Sequence, residues 1–342
     1  MGNMFYNCRS LTNIPLMNTI NTNYMDGMFY GCRSLTNIPL MDTRNVSTMA
    51  SMFNNCTSLT TIPLMNTTNV KNMSNMFSYC TSLTTIPLID TGNVTTMSYM
   101  FNNCTSLTNI PLMDTENVTN MEDMFYNCSL LTNIPQIDTQ NVKNMQSMFS
   151  GCRSLTTIPL IDTGNVTNMS YMFNNCRSLT TVPQLNTENV TNMTSMFGYC
   201  TSLTTVPQLN TENVTNMNGI FFSSSVTIVE GLDFKSISSE ANSRIVSTSY
   251  KSIIKLYIKN IGYSSCPTYD FSTISGWGIN NSTIPDASLS IYKSLVEDTS
   301  NRVNAGSSTV NIKLNTNVLD NLDNTAKAAI CAKGYTLNGI SY

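Results

Sequence analysis

Nine cysteines, Cys8, Cys32, Cys56, Cys80, Cys104, Cys128, Cys152, Cys176 and Cys200, follow one another at intervals of 24 residues. This spacing limits the possible folds more than any other feature of the chain. A short unit recurring at a fixed period cannot enclose a core alone. It buries its apolar side by stacking on the next copy, which is the logic of a solenoid. Function in such a chain is expected on a surface rather than in a deep pocket.

Within the unit from Asn69 to Gly92 the apolar residues fall mostly three apart: Val70, Met73, Met76 with Phe77, Cys80, Leu83, Ile86, then Ile89. Neither a two-residue nor a 3.6-residue period fits the whole unit. A coil in which every side turns a residue inward does fit. Leu83-x-x-Ile86-x-Leu88 has the LxxLxL shape that carries the strand in leucine-rich repeats, which places a short strand at residues 85–89. Pro87 and its equivalents from Pro15 to Pro207 recur inside that segment and cannot donate to a ladder, so the ladder must skip them. The Val-x-x-Met-x-x-Met-Phe segment is expected as a single helical or 3-10 turn opposite. The expected fold is therefore α/β: a leucine-rich-repeat solenoid with one short parallel β-strand per 24-residue rung.

The run Asn117-Val-Thr-Asn-Met-Glu-Asp-Met-Phe-Tyr-Asn-Cys128 resembles the BspA-type leucine-rich repeat of bacterial surface proteins. It is closest to the short variant found in surface proteins and lipoproteins and in some phage structural proteins. The family unit is slightly longer, and the shortening here falls between Leu88 and Asn93. The resemblance covers residues 1–221 and implies surface adhesion or recognition, with no catalytic residues to carry over. Residues 222–342 lose the period and read as irregular strand-plus-helix repeats forming a C-terminal cap. Strands are expected at 252–260 and 309–316 and helices at 286–297 and 318–331, with Asp320 and Asp323 serving the last helix's first turns. Residues 326–339 resemble the closing segment of many phage and bacterial surface proteins.

Chemistry is scarce. The chain has no histidine, which removes the commonest general base and metal ligand. Charged residues make up 11% and the net charge is -3, so no nucleic-acid-binding basic face is visible. No apolar run approaches the ~20 residues a membrane-spanning helix needs, and no secretory signal is visible at Met1. Asp42, Asp90, Asp114, Asp138 and Asp162 alternate with Asn18, Asn66, Asn186 and Asn210 at one position, which indicates a turn hydrogen bond rather than proton transfer. The Asp-Thr-x-Asn turns offer some oxygens to a calcium column, the weaker reading. The Asn21, Asn45, Asn69, Asn93 column is expected to tie rung to rung through its amides. The nine cysteines read as buried, reduced packing residues. Neither enzyme activity, nor a cofactor, nor a metal site is expected.

The variable columns remain as the candidate interaction surface. The position after the proline runs Leu16, Leu40, Leu64, Leu88, Leu112, Gln136, Leu160, Gln184 and Gln208, with leucine unbroken from Leu16 to Leu112. If this position faces outward it forms a leucine ridge, a mark of an interaction site; the alternative is partial burial at a rim. Tyr6, Tyr30, Tyr79, Tyr99, Tyr126, Tyr171 and Tyr199 add aromatic area at low entropic cost, and Arg9, Arg33, Arg153 and Arg177 share a column as polar anchors. The expected partner is a protein or glycan on a host cell surface, with neither nucleic acid nor membrane. Because the chain opens mid-repeat, another subunit or preceding domain is expected against its N-terminal rung. The leading expectation is a phage tail or fibre component at a virion surface, and the alternatives are a bacterial cell-surface adhesin and, least favoured, a carbohydrate-active phage enzyme.

Overall fold

A computed structural model describes residues 1–239, 242, 245, 255–259, 268–271, 310–314, 319–320, 322–332 and 334–342. It divides into two compact units, one of Met1–Val166 with Met172–Leu179 and one of Thr167–Tyr171 with Thr180–Tyr342. Each carries leucine-rich-repeat rungs stacked in parallel.

In the first unit every apolar column of the repeat but one, the leucines after the prolines, turns inward. Val70, Met73, Met76, Phe77, Cys80 and Leu83 are fully buried, and Ile86 and Ile89 nearly so. The phenylalanines stack rung on rung from Phe5 to Phe173, neighbouring rings 5.5 to 5.8 Å apart and close to parallel. Each thiol from Cys32 to Cys176 donates to the carbonyl of a Phe in the preceding rung, as Cys80 does to Phe53 at 3.0 Å. Burial pushes the Cys80 and Cys152 thiols up to about 12, far from the reactive thiolate. The ladder has one departure from expectation: Cys8 is exposed, whereas Cys32 to Cys200 are buried.

The pairing between rungs lies elsewhere than at residues 85–89. Parallel bridges run through Tyr24, Thr48, Asn72, Thr96, Asn120 and Asn144, one segment before the methionines. Around Pro87 the contacts are thin: Thr84 donates to Thr60 at 3.3 Å and Thr108 to Thr84 at 3.3 Å. Proline at every rung removes the donor that a ladder there requires. After the bridge the backbone divides its donors. The N–H groups of Met76, Ser78 and Cys80 close turns onto Met73, Asn75 and Phe77, while those of Asn75, Phe77 and Tyr79 donate to Ser98, Met100 and Asn102 of the next rung at 2.7 to 2.9 Å. This division needs a left-handed backbone at two columns, and Asn75 (φ 59) and Tyr79 (φ 60) adopt it.

Turn chemistry completes the rung. Oδ1 of Asp42, Asn66, Asp90, Asp114, Asp138 and Asp162 accepts the N–H two residues on, an Asx turn. From Asn45 to Asn165 the amides donate back to the preceding rung, Asn69 to Arg44 at 2.7 Å for example. Between them sits a buried threonine whose hydroxyl donates forward, as Thr67 does to the Asp90 carbonyl at 2.6 Å. Nothing in the residue pattern had marked that threonine for burial.

The second unit repeats this scheme through bridges Asn168–Asn192–Asn216 and then becomes irregular. Strands β1 (Ile228–Asp233) and β2 (Lys255–Lys259) pair in parallel, and β3 (Thr268–Phe271), β4 (Val310–Leu314) and β5 (Tyr335–Leu337) form a second parallel sheet in that order. Helix α1 (Asn324–Ala332) precedes β5. Asp323 caps it by accepting the Ala326 N–H at 2.7 Å. The helix expected at 286–297 lies outside the described residues.

Candidate functional site: two lateral grooves

Alternation at the rung's third side decides where the candidate leucines go. Ile86 and Ile89 are buried, Pro87 is half-buried between them, and Leu88 faces out. Leu16, Leu40, Leu64, Leu88 and Leu112 are 63 to 81% exposed, so the ridge reading describes them and the rim reading does not. With Met17, Met41, Met65 and Ile89 beneath them they line a groove of about 1120 Å3 in the first unit. Its border is mainly anionic: Asp42, Asp90 and Asp114, with Arg44 paired to Asp42 at 2.9 Å. That guanidinium holds the Asp42 carboxyl below the usual carboxylate range. Thr91, also in the lining, is buried with its hydroxyl unpaired, unlike Thr67 and Thr115 in the neighbouring rungs.

Glutamine at this column alters the surface without burying an amide. Gln136 reaches the Leu160 carbonyl at 2.7 Å. In the second unit Gln184 reaches that of Gln208 at 2.8 Å, beside a polar groove bearing Glu188, Glu212 and Asp233.

The candidate tyrosines and Arg9, Arg33, Arg153 and Arg177 line no part of the leucine groove. Tyr30, Arg33, Tyr79 and Tyr99 meet in a second groove of the first unit, about 480 Å3, together with Asn54, Asn55, Asn75, Ser78 and Asn102. Tyr6 stacks on Tyr30 with ring centroids 4.7 Å apart. Tyr126 continues the column of Tyr6 and Tyr30 outside the groove. Four of the seven tyrosines have positive φ: Tyr79 (60), Tyr99 (60), Tyr171 (58) and Tyr199 (58). Asn, Gly, Ser or Asp fills the equivalent positions in other rungs, and a bulky residue there carries a backbone cost of ~1–2 kcal/mol. Arg9, Arg33, Arg153 and Arg177 are all exposed; Arg177 turns onto Asn175 at 2.8 Å.

One acidic pair adjoins the tyrosine groove. Tyr99 donates to Glu122 at 2.9 Å, and burial with the Glu122 charge beside it raises the neighbouring Asp123 carboxyl to about 6. Among the described residues no group of three His, Cys, Asp or Glu is placed to hold a metal. No helix among them is long and apolar enough to cross a membrane. What the two grooves offer is contact area and hydrogen bonds.

Rungs of this kind, with buried columns and parallel bridges, define a leucine-rich-repeat solenoid. The chain belongs to the family described as "Mycoplasma protein of unknown function, DUF285", whose model matches residues 1–109, 61–158, 81–182, 107–205 and 155–238. No curated protein matches the sequence. Among solved structures it is similar to a leucine-rich repeat protein of T. pallidum, at 21% identity over 52% of this chain and 69% of that one, TM-score 0.31. A leucine-rich cell surface protein of Faecalibacterium prausnitzii matches at 18% identity over 64% and 73%, TM-score 0.35. A leucine-rich repeat protein of Eubacterium ventriosum matches at 19% over 59% and 56%, TM-score 0.35.

Proposed function

We propose that this protein is a non-enzymatic recognition or adhesion protein of a surface, and that the leucine groove is its principal docking site. The observation that carries this reading is the file of exposed leucines on five successive rungs, Leu16 to Leu112. Contiguous apolar surface of this kind stays in water at a cost unless a partner covers it. The Asp42, Asp90 and Asp114 border complements a basic partner, so the occupant is a protein segment presenting apolar side chains flanked by Lys or Arg. Residues 222–342 serve as the closing cap of the array.

The finer reading is a phage tail or fibre component, displayed on a virion and binding a receptor of a bacterial host. The likeness of the Asn117 to Cys128 unit to the repeat variant found in phage structural proteins supports it. That same repeat occurs in bacterial surface proteins, which supports the alternative of a cell-surface adhesin. The test compares the full chain with a variant carrying Leu40→Thr, Leu64→Thr, Leu88→Thr and Leu112→Thr for binding to intact bacteria and to animal cells. Because these leucines are exposed, the variant keeps its unfolding midpoint within about 0.5 kcal/mol per site. We expect its cell binding to fall at least tenfold, with retention on bacteria pointing to the phage reading and on animal cells to the adhesin. Undiminished binding by the variant on both surfaces removes the leucine groove from the function.

A further inference from the structure

The tyrosine groove has a chemistry of its own. Tyr30, Asn54, Ser78 and Asn102 occupy one column across four successive rungs and all face into it. Three of them are almost wholly buried by the fold: Asn54 is 9%, Ser78 2% and Asn102 6% exposed. Burial of polar side chains is costly unless each finds a partner. Among the described residues the Asn54 carboxamide and the Ser78 hydroxyl make no side-chain hydrogen bond, and unlike the buried Thr91 hydroxyl they open onto the groove. Asn102 accepts from Asn103 at 2.6 Å and keeps its amide donors for the groove. Beside them Tyr79, 50% exposed, stands at a left-handed position that Asn55 and Asn103 fill in neighbouring rungs. A strained backbone kept for an exposed ring points from geometry to function.

These groups select a ligand class. A sugar hydroxyl is both donor and acceptor, and so is a carboxamide; a phenol ring offers an apolar face to the C–H face of a pyranose. The column repeats one polar position at each rung, ~4.8 Å apart, which suits a chain of like units laid along it. Arg33 brings a guanidinium with no ion-pair partner among the described residues, and no Asp or Glu lines the groove. A fork of this kind takes a carboxylate in two parallel bonds. The absence of an acidic liner also leaves no ligand set for a hard cation there. We propose that this groove binds an acidic oligosaccharide, its hydroxyls on Asn54, Ser78 and Asn102, one sugar face on Tyr79 and one carboxylate on Arg33.

The proposal is independent of the leucine groove, and its test keeps the two apart. The full chain is titrated calorimetrically with tetra-galacturonate, a four-residue glucuronate oligomer, neutral galactotetraose and a tetraglutamate peptide. We expect a uronate oligomer to bind at least tenfold tighter than the neutral sugar and the peptide. Arg33→Gln abolishes the preference for charge. Tyr79→Asn weakens uronate binding about tenfold without lowering the unfolding midpoint, since Asn suits that backbone; a merely structural tyrosine would lower the midpoint instead. The four-leucine variant binds uronate as the parent does. Absence of uronate binding by the parent, unchanged binding by Arg33→Gln and Tyr79→Asn, or tighter binding of the glutamate peptide each overturns the proposal.

Discussion

Thr67 and Thr91 occupy the same position in successive rungs and differ by one hydrogen bond. Thr67 donates to Asp90 at 2.6 Å, whereas the Thr91 hydroxyl is buried without a partner. Removing the first hydroxyl loses a bond and strands a carbonyl, at about 1–2 kcal/mol; removing the second takes away a desolvation cost of similar size. Thr67→Val should therefore destabilise and Thr91→Val stabilise in denaturant unfolding, and equal effects from both would refute this pairing scheme. Asp123 gives the pH dependence. Its carboxyl is raised in the folded protein to about 6 from an ordinary value of 3.8. The folded state thus holds the proton more tightly, so this stabilisation is complete below pH 3.8 and is lost as pH rises through about 6. With its φ of 52, the position also suits Asn. Asp123→Asn is expected to gain about 1 kcal/mol at pH 7.5, after solvent screening, and little at pH 4. A midpoint difference that does not change between the two pH values would contradict the assignment. The Asx turns and the Asn amide bonds were legible in the sequence, because Asp and Asn exchange freely at one column and Asn repeats at another. The orphaned Thr91 was not, since an unmade bond leaves no residue pattern.

At the level of the rung, the buried columns were readable to the residue, from Val70 to Ile89, because each turn inward demands an apolar side chain. Pairing was harder to read. The LxxLxL shape marks residues 85–89, yet the bridges lie at Asn72 and Thr96, where the backbone is free of proline. The two left-handed columns carry Asn or Gly in many rungs, as at Asn55, Asn75 and Asn103, but Tyr79 and Tyr99 interrupt that signal. The phenylalanine stack carries a clear consequence. Phe101 is fully buried, with Phe77 and Phe125 at 5.6 Å on either side. Phe101→Ala should cost ~3–5 kcal/mol through lost burial and a cavity. Since rungs contact only their neighbours, hydrogen exchange should quicken mainly between residues 70 and 130; a uniform loss along the chain would contradict nearest-neighbour coupling.

At the scale of the whole molecule, the period itself ends at Phe221, while the two compact units divide within the regular rungs near residues 167–180. In a repeat array every rung boundary is similar, so contact density gives no sharp place to cut. The leucines, tyrosines and arginines are readable in the sequence as variable columns. Their sorting into one apolar and one polar groove is not, because a column number does not say which side of the coil it faces. The measurement that bears most directly on lateral recognition is a whole-repeat deletion series within residues 45–140, removed 24 at a time. Each shortened protein is followed by circular dichroism and by binding to the cells that retain the parent. Every member should fold cooperatively, and binding should fall stepwise as Leu64, Leu88 and Leu112 leave the groove. Full binding by a protein lacking all of residues 45–140 would show that recognition does not reside on these lateral columns.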